Sequence, residues 1–188
     1  ITSLDDAKWL DLTIDGADEF DANLALIKGG GAALLQEKIV ATASDQMIVI
    51  TDAAKEVAQL GAFPLPVEVI PFGWQTTKAL IEEMLVGMDV LNRDVTLRMN
   101  GDSPLVTDEA NYIVDLHLKR IGNPRQLALV LNQIPGVVEN GLFIDICDIV
   151  VIGHGDGRVV VRDINAGSET DGRILFAPTD NIFSDLGD

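Results

Sequence analysis

Residues 9–21 read WLDLTIDGADEFD. The apolar run from Trp9 to Ile14 suits a buried strand, and it stops at a carboxylate, Asp15. A second carboxylate, Asp18, follows across two small residues, Gly16 and Ala17. In an open α/β sheet the carboxyl ends of the strands line the ligand crevice, so both acids are candidates for one site. On spacing alone the same residues also make an ordinary acidic turn with a capping Asp.

Outward from this stretch, elements alternate. KGGGAALLQEK at 28–38 puts three glycines before a helix predicted over 32–44, where Leu35, Ile39 and Ala43 recur at helical spacing. Residues 47–50 are β-formers, and 53–60 suit a short helix ended by Gly61. Alternating strands and helices imply a parallel α/β sheet. The segment FPLPVEVIP at 63–71 carries three prolines and reads as a crossover. A helix over 74–85 follows, then strands over 90–99 and 112–118 joined through NGDSP at 100–104. Residues 124–133 make a helix with Pro in its first turn, and 137–147 begin another strand. This second pattern suits a small α+β unit. Strands at 149–152 and 158–161 are expected to return to the first sheet. Beyond Asp163 the composition turns polar and reads as a poorly structured extension in which ILF and NIF are the apolar stretches.

Composition narrows the function. The chain has 188 residues, 47% hydrophobic, and a net charge of −17 from 30 acids against 13 Lys and Arg. No basic face suits nucleic acid. Charged, Gly or Pro residues interrupt every apolar run short of a membrane span, and no basic stretch followed by an apolar one marks a signal peptide. Cys147, the single cysteine, sits in an apolar run and reads as a buried small hydrophobe, which fits a reducing cytoplasm. His117 and His154 form no carboxylate–histidine spacing for a metal.

The chemistry-bearing residues point to proton movement beside a carbonyl. Lys28 supplies a positive point charge, and Gly29, Gly30 and Gly31 supply N–H groups that can surround an oxyanion. No GK[ST] follows, which rules out the Walker loop. Glu37 shares a helix side with Ala33 and Ala41, so its face can border a cavity and act as a base; an exposed helix glutamate is the plainer alternative. Lys55, in TDAAKEV at 51–57, follows another strand end and can add a second positive charge.

Taken together, DGADEF at 15–20, KGGGAALLQEK, TDAAKEV, GAFPLPVEVIPF at 61–72, NYIVDLHL at 111–118 and IPGVVENGLF at 134–143 resemble, in order, the ribose-5-phosphate isomerase A family. The resemblance covers about residues 5–162. It implies an α/β fold, a Rossmann-like parallel sheet domain (1–64 and 148–163) with an inserted ferredoxin-like α+β domain (65–147), followed by a polar acidic tail (164–188). It implies interconversion of D-ribose 5-phosphate and D-ribulose 5-phosphate through a cis-enediolate, without metal or cofactor. By motif match Glu37 is the base, Asp15 serves ring opening and hydroxyl proton transfer, and Lys28 polarises substrate oxygens. Asp15, Gly16, Ala17, Asp18, Lys28, Gly29, Gly30, Gly31 and Lys55 are the substrate-binding set. A small-molecule sugar phosphate is the implied partner, with neither nucleic acid nor membrane, in a cytoplasmic homodimer or homotetramer. The family's TGST-type phosphate loop lies upstream of DGADE and is not found before Ile14, so the chain is expected to be truncated and to bind phosphate poorly. The stretch after Asp163 is longer than the family's usual end. The alternative is a non-catalytic sugar-phosphate-binding or regulatory module on the same fold.

Overall fold

Residues 2–173 are described in the computed structural model of the chain. In chain order the elements are α1 (Leu4–Ala7), β1 (Thr13–Asp15), β2 (Glu19–Phe20), β3 (Leu26–Ile27), α2 (Leu34–Thr42), β4 (Met47–Asp52) and β5 (Leu65–Val69). Then come α3 (Trp74–Leu85), β6 (Asp94–Leu97), β7 (Met99–Asn100), β8 (Ser103–Pro104), β9 (Tyr112–His117), α4 (Pro124–Leu131), β10 (Val137–Asn140) and β11 (Leu142–Phe143). The described chain closes with β12 (Ile149–Gly153), β13 (Arg158–Asp163) and β14 (Ser168–Arg173).

The first sheet has the order β1-β4-β12-β13-β14. Its first three strands run parallel and the last three form an antiparallel meander. The second sheet, β10-β5-β9-β6, is wholly antiparallel. With α3 and α4 it spells βαββαβ, the ferredoxin-like pattern, drawn from between β4 and β12 of the first sheet. The fold is therefore α/β, a Rossmann-like sheet with a ferredoxin-like insertion. Each sheet has an apolar cluster: Val49, Val150, Ile152 and Phe143 around the first, Leu65, Val67, Ile81 and Leu116 around the second. A small third sheet, β11-β3-β2, lies between them, with Ile27 and Leu142 in one cluster and Leu26 and Phe143 in the other.

The helix over 74–85 forms where expected, with Ile81 and Leu85 fully buried. Several expectations are corrected, among them the helix over 53–60, of which only a 3-10 turn at Ala53–Lys55 forms. First, residues 63–71 are not only a crossover: Leu65–Val69 is an interior strand, buried throughout. Pro66 is tolerated there because its ring nitrogen, which cannot donate, faces the side where β10 has ended at Asn140, while its carbonyl accepts from Gly141 N–H at 2.8 Å. Second, β1 is shorter than the apolar run and only partly covered. It pairs with β4, Ile14 standing opposite Ile48, and Ile14 is 59% exposed. Third, residues 168–173 are not an unstructured extension but a strand paired along β13. ILF at 174–176 and NIF at 181–183 fall outside the described residues. The run 137–147 also splits: Gly141 divides it into β10 and β11, which belong to different sheets.

Glu19 ties the acidic motif to the segment leading into the insertion. Its buried carboxylate accepts from Gly61 N–H at 2.7 Å and Phe63 N–H at 2.5 Å. Glu19→Ala strands both donors, and we expect it to cost about 3 kcal/mol of unfolding free energy, read from urea denaturation. A loss under about 0.5 kcal/mol would show that water replaces the carboxylate freely.

Candidate active site

Four backbone features bring the candidate residues together. β1 ends at Asp15, the turn through Gly16 and Ala17 carries Asp18, β3 hands over to Lys28 and the glycines, and α2 begins at Leu34 with Glu37 in its first turn. Asp15, Gly16, Ala17, Asp18, Lys28, Gly29, Gly30, Gly31 and Glu37 together line one open cleft of about 220 Å³. Larger hollows exist, one of about 540 Å³ beside Asn123 and Arg125, but none gathers comparable chemistry. Lys55 does not line the cleft. It stands half-buried on the 3-10 turn that follows β4.

Lys28 is the hub. Only 3% exposed, its Nζ donates to Gly16 O at 2.6 Å and pairs with Asp15 Oδ2 at 2.9 Å and Glu37 Oε2 at 3.4 Å. Its ammonium also lies 5.5 Å from the centre of the Phe143 ring, which holds the stem against the core. One buried cation therefore faces two carboxylates, each about a quarter exposed. The cleft can give a proton acceptor and a positive charge to the same small ligand.

Glu37 holds its proton more tightly than a free glutamate. Burial raises its pKa above the usual carboxylate range; Lys28 opposes this and the neighbouring Asp15 adds to it. Among the described residues Oε2 has no hydrogen-bond donor of good geometry, despite its proximity to Lys28. It is an acceptor without a proton to accept.

The glycines are needed for different reasons. Gly29 has φ +102°, and a Cβ there would meet Leu34 at 2.8 Å. A Cβ on Gly30 would meet Asp18 Oδ1 at 2.6 Å, because Gly30 N–H donates to Asp18 Oδ2 at 2.8 Å. Asp18 thus shapes the glycine loop while it faces the cleft.

Residue-by-residue reading missed the supports of the site. Lys38, next to the candidate base, reaches the other way. It donates to Glu139 Oε1 at 2.9 Å and Asn140 O at 2.6 Å and lies 4.9 Å from the Phe143 ring. Gln36 bonds Glu109. These contacts fix α2 to the inserted sheet on both sides of Glu37. The signal in the sequence was slight: polar residues flanking a glutamate on a helix are ordinary. Arg98 also went unnoticed; it reaches the glycine loop from the inserted sheet. Cys147 is buried as expected, and burial pushes its thiol up to about 12, so it is no nucleophile at neutral pH. No group of three or more His, Cys, Asp or Glu side chains placed to hold a metal occurs among the described residues, and no helix among them is long and apolar enough to cross a membrane.

A strand-end cleft with a buried ammonium, a raised-pKa glutamate and a glycine loop is chemically suited to acid–base work. The profile described as ribose 5-phosphate isomerase A (phosphoriboisomerase A) matches residues 1–157. Relatives named ribose-5-phosphate isomerase A are 74% identical in Ruegeria pomeroyi and 76% in Cereibacter sphaeroides, over 100% of this chain and 72% of theirs. The chain belongs to the ribose 5-phosphate isomerase A family. Among solved structures, a D-ribose-5-phosphate isomerase in complex with phospho-erythronic acid superposes with a TM-score of 0.78 at 44% identity, over 87% of this chain and 69% of that one. The ribose 5-phosphate isomerase of Plasmodium falciparum gives 0.77 at 34% identity, over 82% and 66%. The relatives align along all 188 residues, so the stretch after Asp163, unexpectedly long for the family, has counterparts in them.

Proposed function

We propose that this chain interconverts D-ribose 5-phosphate and D-ribulose 5-phosphate by proton transfer through a cis-enediolate. The observation that carries the proposal is the free Oε2 of Glu37, in one cleft with Lys28 and Asp15. From the open-chain aldose, Glu37 takes the C2 proton, and the electron pair moves through C1 onto O1. Lys28 and loop N–H groups meet the charge growing on oxygen. Glu37 returns its proton to C1, while the O2 proton passes to O1 with Asp15 as carrier, leaving the ketone at C2. Asp15 also suits the preceding ring opening, and Asp18 with Gly29, Gly30 and Gly31 positions the sugar. The reading needs no metal, and turnover is expected to persist with chelator present; loss of activity on chelation would contradict it.

The non-catalytic sugar-phosphate module is the second reading. It has no use for a raised-pKa carboxylate that accepts no hydrogen bond at Oε2, and saturable ribose 5-phosphate binding without turnover is the result that would favour it. A homodimer or homotetramer is proposed as the working state, as the family resemblance implies, and the lone buried cysteine supports a reducing cytoplasm. A division into 1–64 with 148–163 and an inserted 65–147 is proposed on the same footing, supported by the two separate main sheets, with 168–173 joining the first sheet rather than a separate tail.

Lys55 is proposed as a contact of the substrate's distant end, since it lies off the cleft. Lys55→Ala is expected to raise KM about tenfold, the worth of one charge-assisted hydrogen bond, with kcat nearly unchanged. An unchanged KM would remove Lys55 from the binding set.

A further inference from the structure

The glycine loop is gripped from behind by a residue of the other sheet. Arg98, directly after β6, donates from Nη1 to Gly29 O at 2.8 Å and to Gly30 O at 3.1 Å. Its own fork is fixed by Asp115 on β9, with Nε to Oδ2 at 2.8 Å and Nη2 to Oδ1 at 2.5 Å. Both side chains of this pair are about 85% covered, at 15% and 14% exposure. A buried bidentate pair holds its geometry far better than a surface lysine would.

The consequence follows from peptide geometry. In a trans peptide the C=O and the N–H of one unit point in opposite directions, and no cis bond occurs among the described residues. With the Gly29 carbonyl turned to Arg98, the Gly30 N–H must point away from it, and it does, toward Asp18 Oδ2 at 2.8 Å. With the Gly30 carbonyl turned the same way, the Gly31 N–H points to the same side. That N–H has no acceptor among the described residues, and Gly31 lines the cleft.

We propose that Arg98, locked by Asp115, is a positioning residue that aims the Gly30 and Gly31 N–H groups at the cleft, the first to hold Asp18 and the second to meet the substrate oxygen that gains charge. The proposal rests on the isomerase reading above. It makes the inserted sheet part of the catalytic apparatus without touching substrate.

The test compares the full-length protein with Arg98→Ala and Arg98→Lys. A misaimed donor weakens the transition state more than the ground state. Arg98→Ala is expected to lower kcat about 100-fold with KM moving less than about threefold. Affinity for a phosphorylated aldonate, whose carboxylate imitates the enediolate, should fall in parallel with kcat/KM. Added guanidinium ion should restore part of the lost kcat. Arg98→Lys keeps the charge but loses the fork, and about a tenfold fall in kcat is expected. Should the alanine variant not fold, the lysine variant decides alone. A kcat within twofold of wild type in the folded variant, or a loss confined to KM, would overturn the proposal. Wild-type protein without turnover would instead overturn the isomerase reading and this proposal with it, so the two failures are told apart.

Discussion

Glu37→Gln is expected to lower kcat by about 10²–10⁴-fold while leaving the fold as stable as before or slightly more so. The amide keeps the shape of the carboxylate but cannot accept the C2 proton. The stability half follows from the direction of the pKa. Burial raises the Glu37 pKa in the folded chain, so the neutral acid is the form the fold prefers. The stability that this preference contributes is fully present below the unfolded pKa and is lost as pH rises through the folded one. At neutral pH the ionised Glu37 is therefore a cost, and glutamine removes it. Lys28 keeps Asp15 and Gly16 O as partners in the variant. Thermal unfolding beside steady-state kinetics checks both halves. Wild-type turnover in Glu37→Gln would remove Glu37 as the base. A large loss of stability would show that the Lys28 pair outweighs the burial of the carboxyl.

Lys28→Met is expected to lower kcat/KM about 10²–10³-fold and to move the acid side of the pH profile upward. Lys28 is the largest influence holding the Glu37 pKa down against burial. Without it, burial and the Asp15 charge act unopposed, so Glu37 stays protonated to higher pH. A protonated base is inactive, so activity of the variant should begin to rise at higher pH than in wild type. The measurement is kcat/KM across pH for both proteins. An acid limb that stays in place would mean that Lys28 does not govern Glu37. An acid limb that moves downward would contradict the charge arrangement itself. Methionine is chosen because Lys28 is 3% exposed and its stem packs beside Phe143, so the apolar part of the contact is retained.

The local signals in the sequence were strong where the chain obeys simple periodicity. Ile81 and Leu85 recur at helical spacing, and α3 spans the residues that spacing indicates. The glycine-to-helix passage and the acids after β1 lie in one cleft, because strand ends and helix starts meet there by topology. Legibility failed where a residue's partner lies far along the chain. Pro66 signalled a break, and only the end of β10 beside it shows why a strand accepts it. Arg98 carried no signal of its own, and only the fold sets it beside a loop 68 residues earlier. Lys38 was masked by Glu37 next to it, although its contacts with Glu139 and Asn140 hold the helix that carries Glu37. Lys55 matched a motif, but its place on the turn after β4 sets it off the cleft.

The most direct test of the central claim is the isotope content of the product. D-ribose 5-phosphate is brought to equilibrium with the protein in deuterium oxide, with chelator present, and the ribulose 5-phosphate is examined by NMR. Proton transfer through Glu37 exposes the abstracted proton to solvent, so deuterium is expected at C1 of the ketose in wild type and not on the same timescale in Glu37→Gln. Equilibration over many turnovers by the wild-type protein with no deuterium at C1 of the ketose would contradict the account, because a proton resting repeatedly on a carboxylate that lines an open cleft exchanges with solvent.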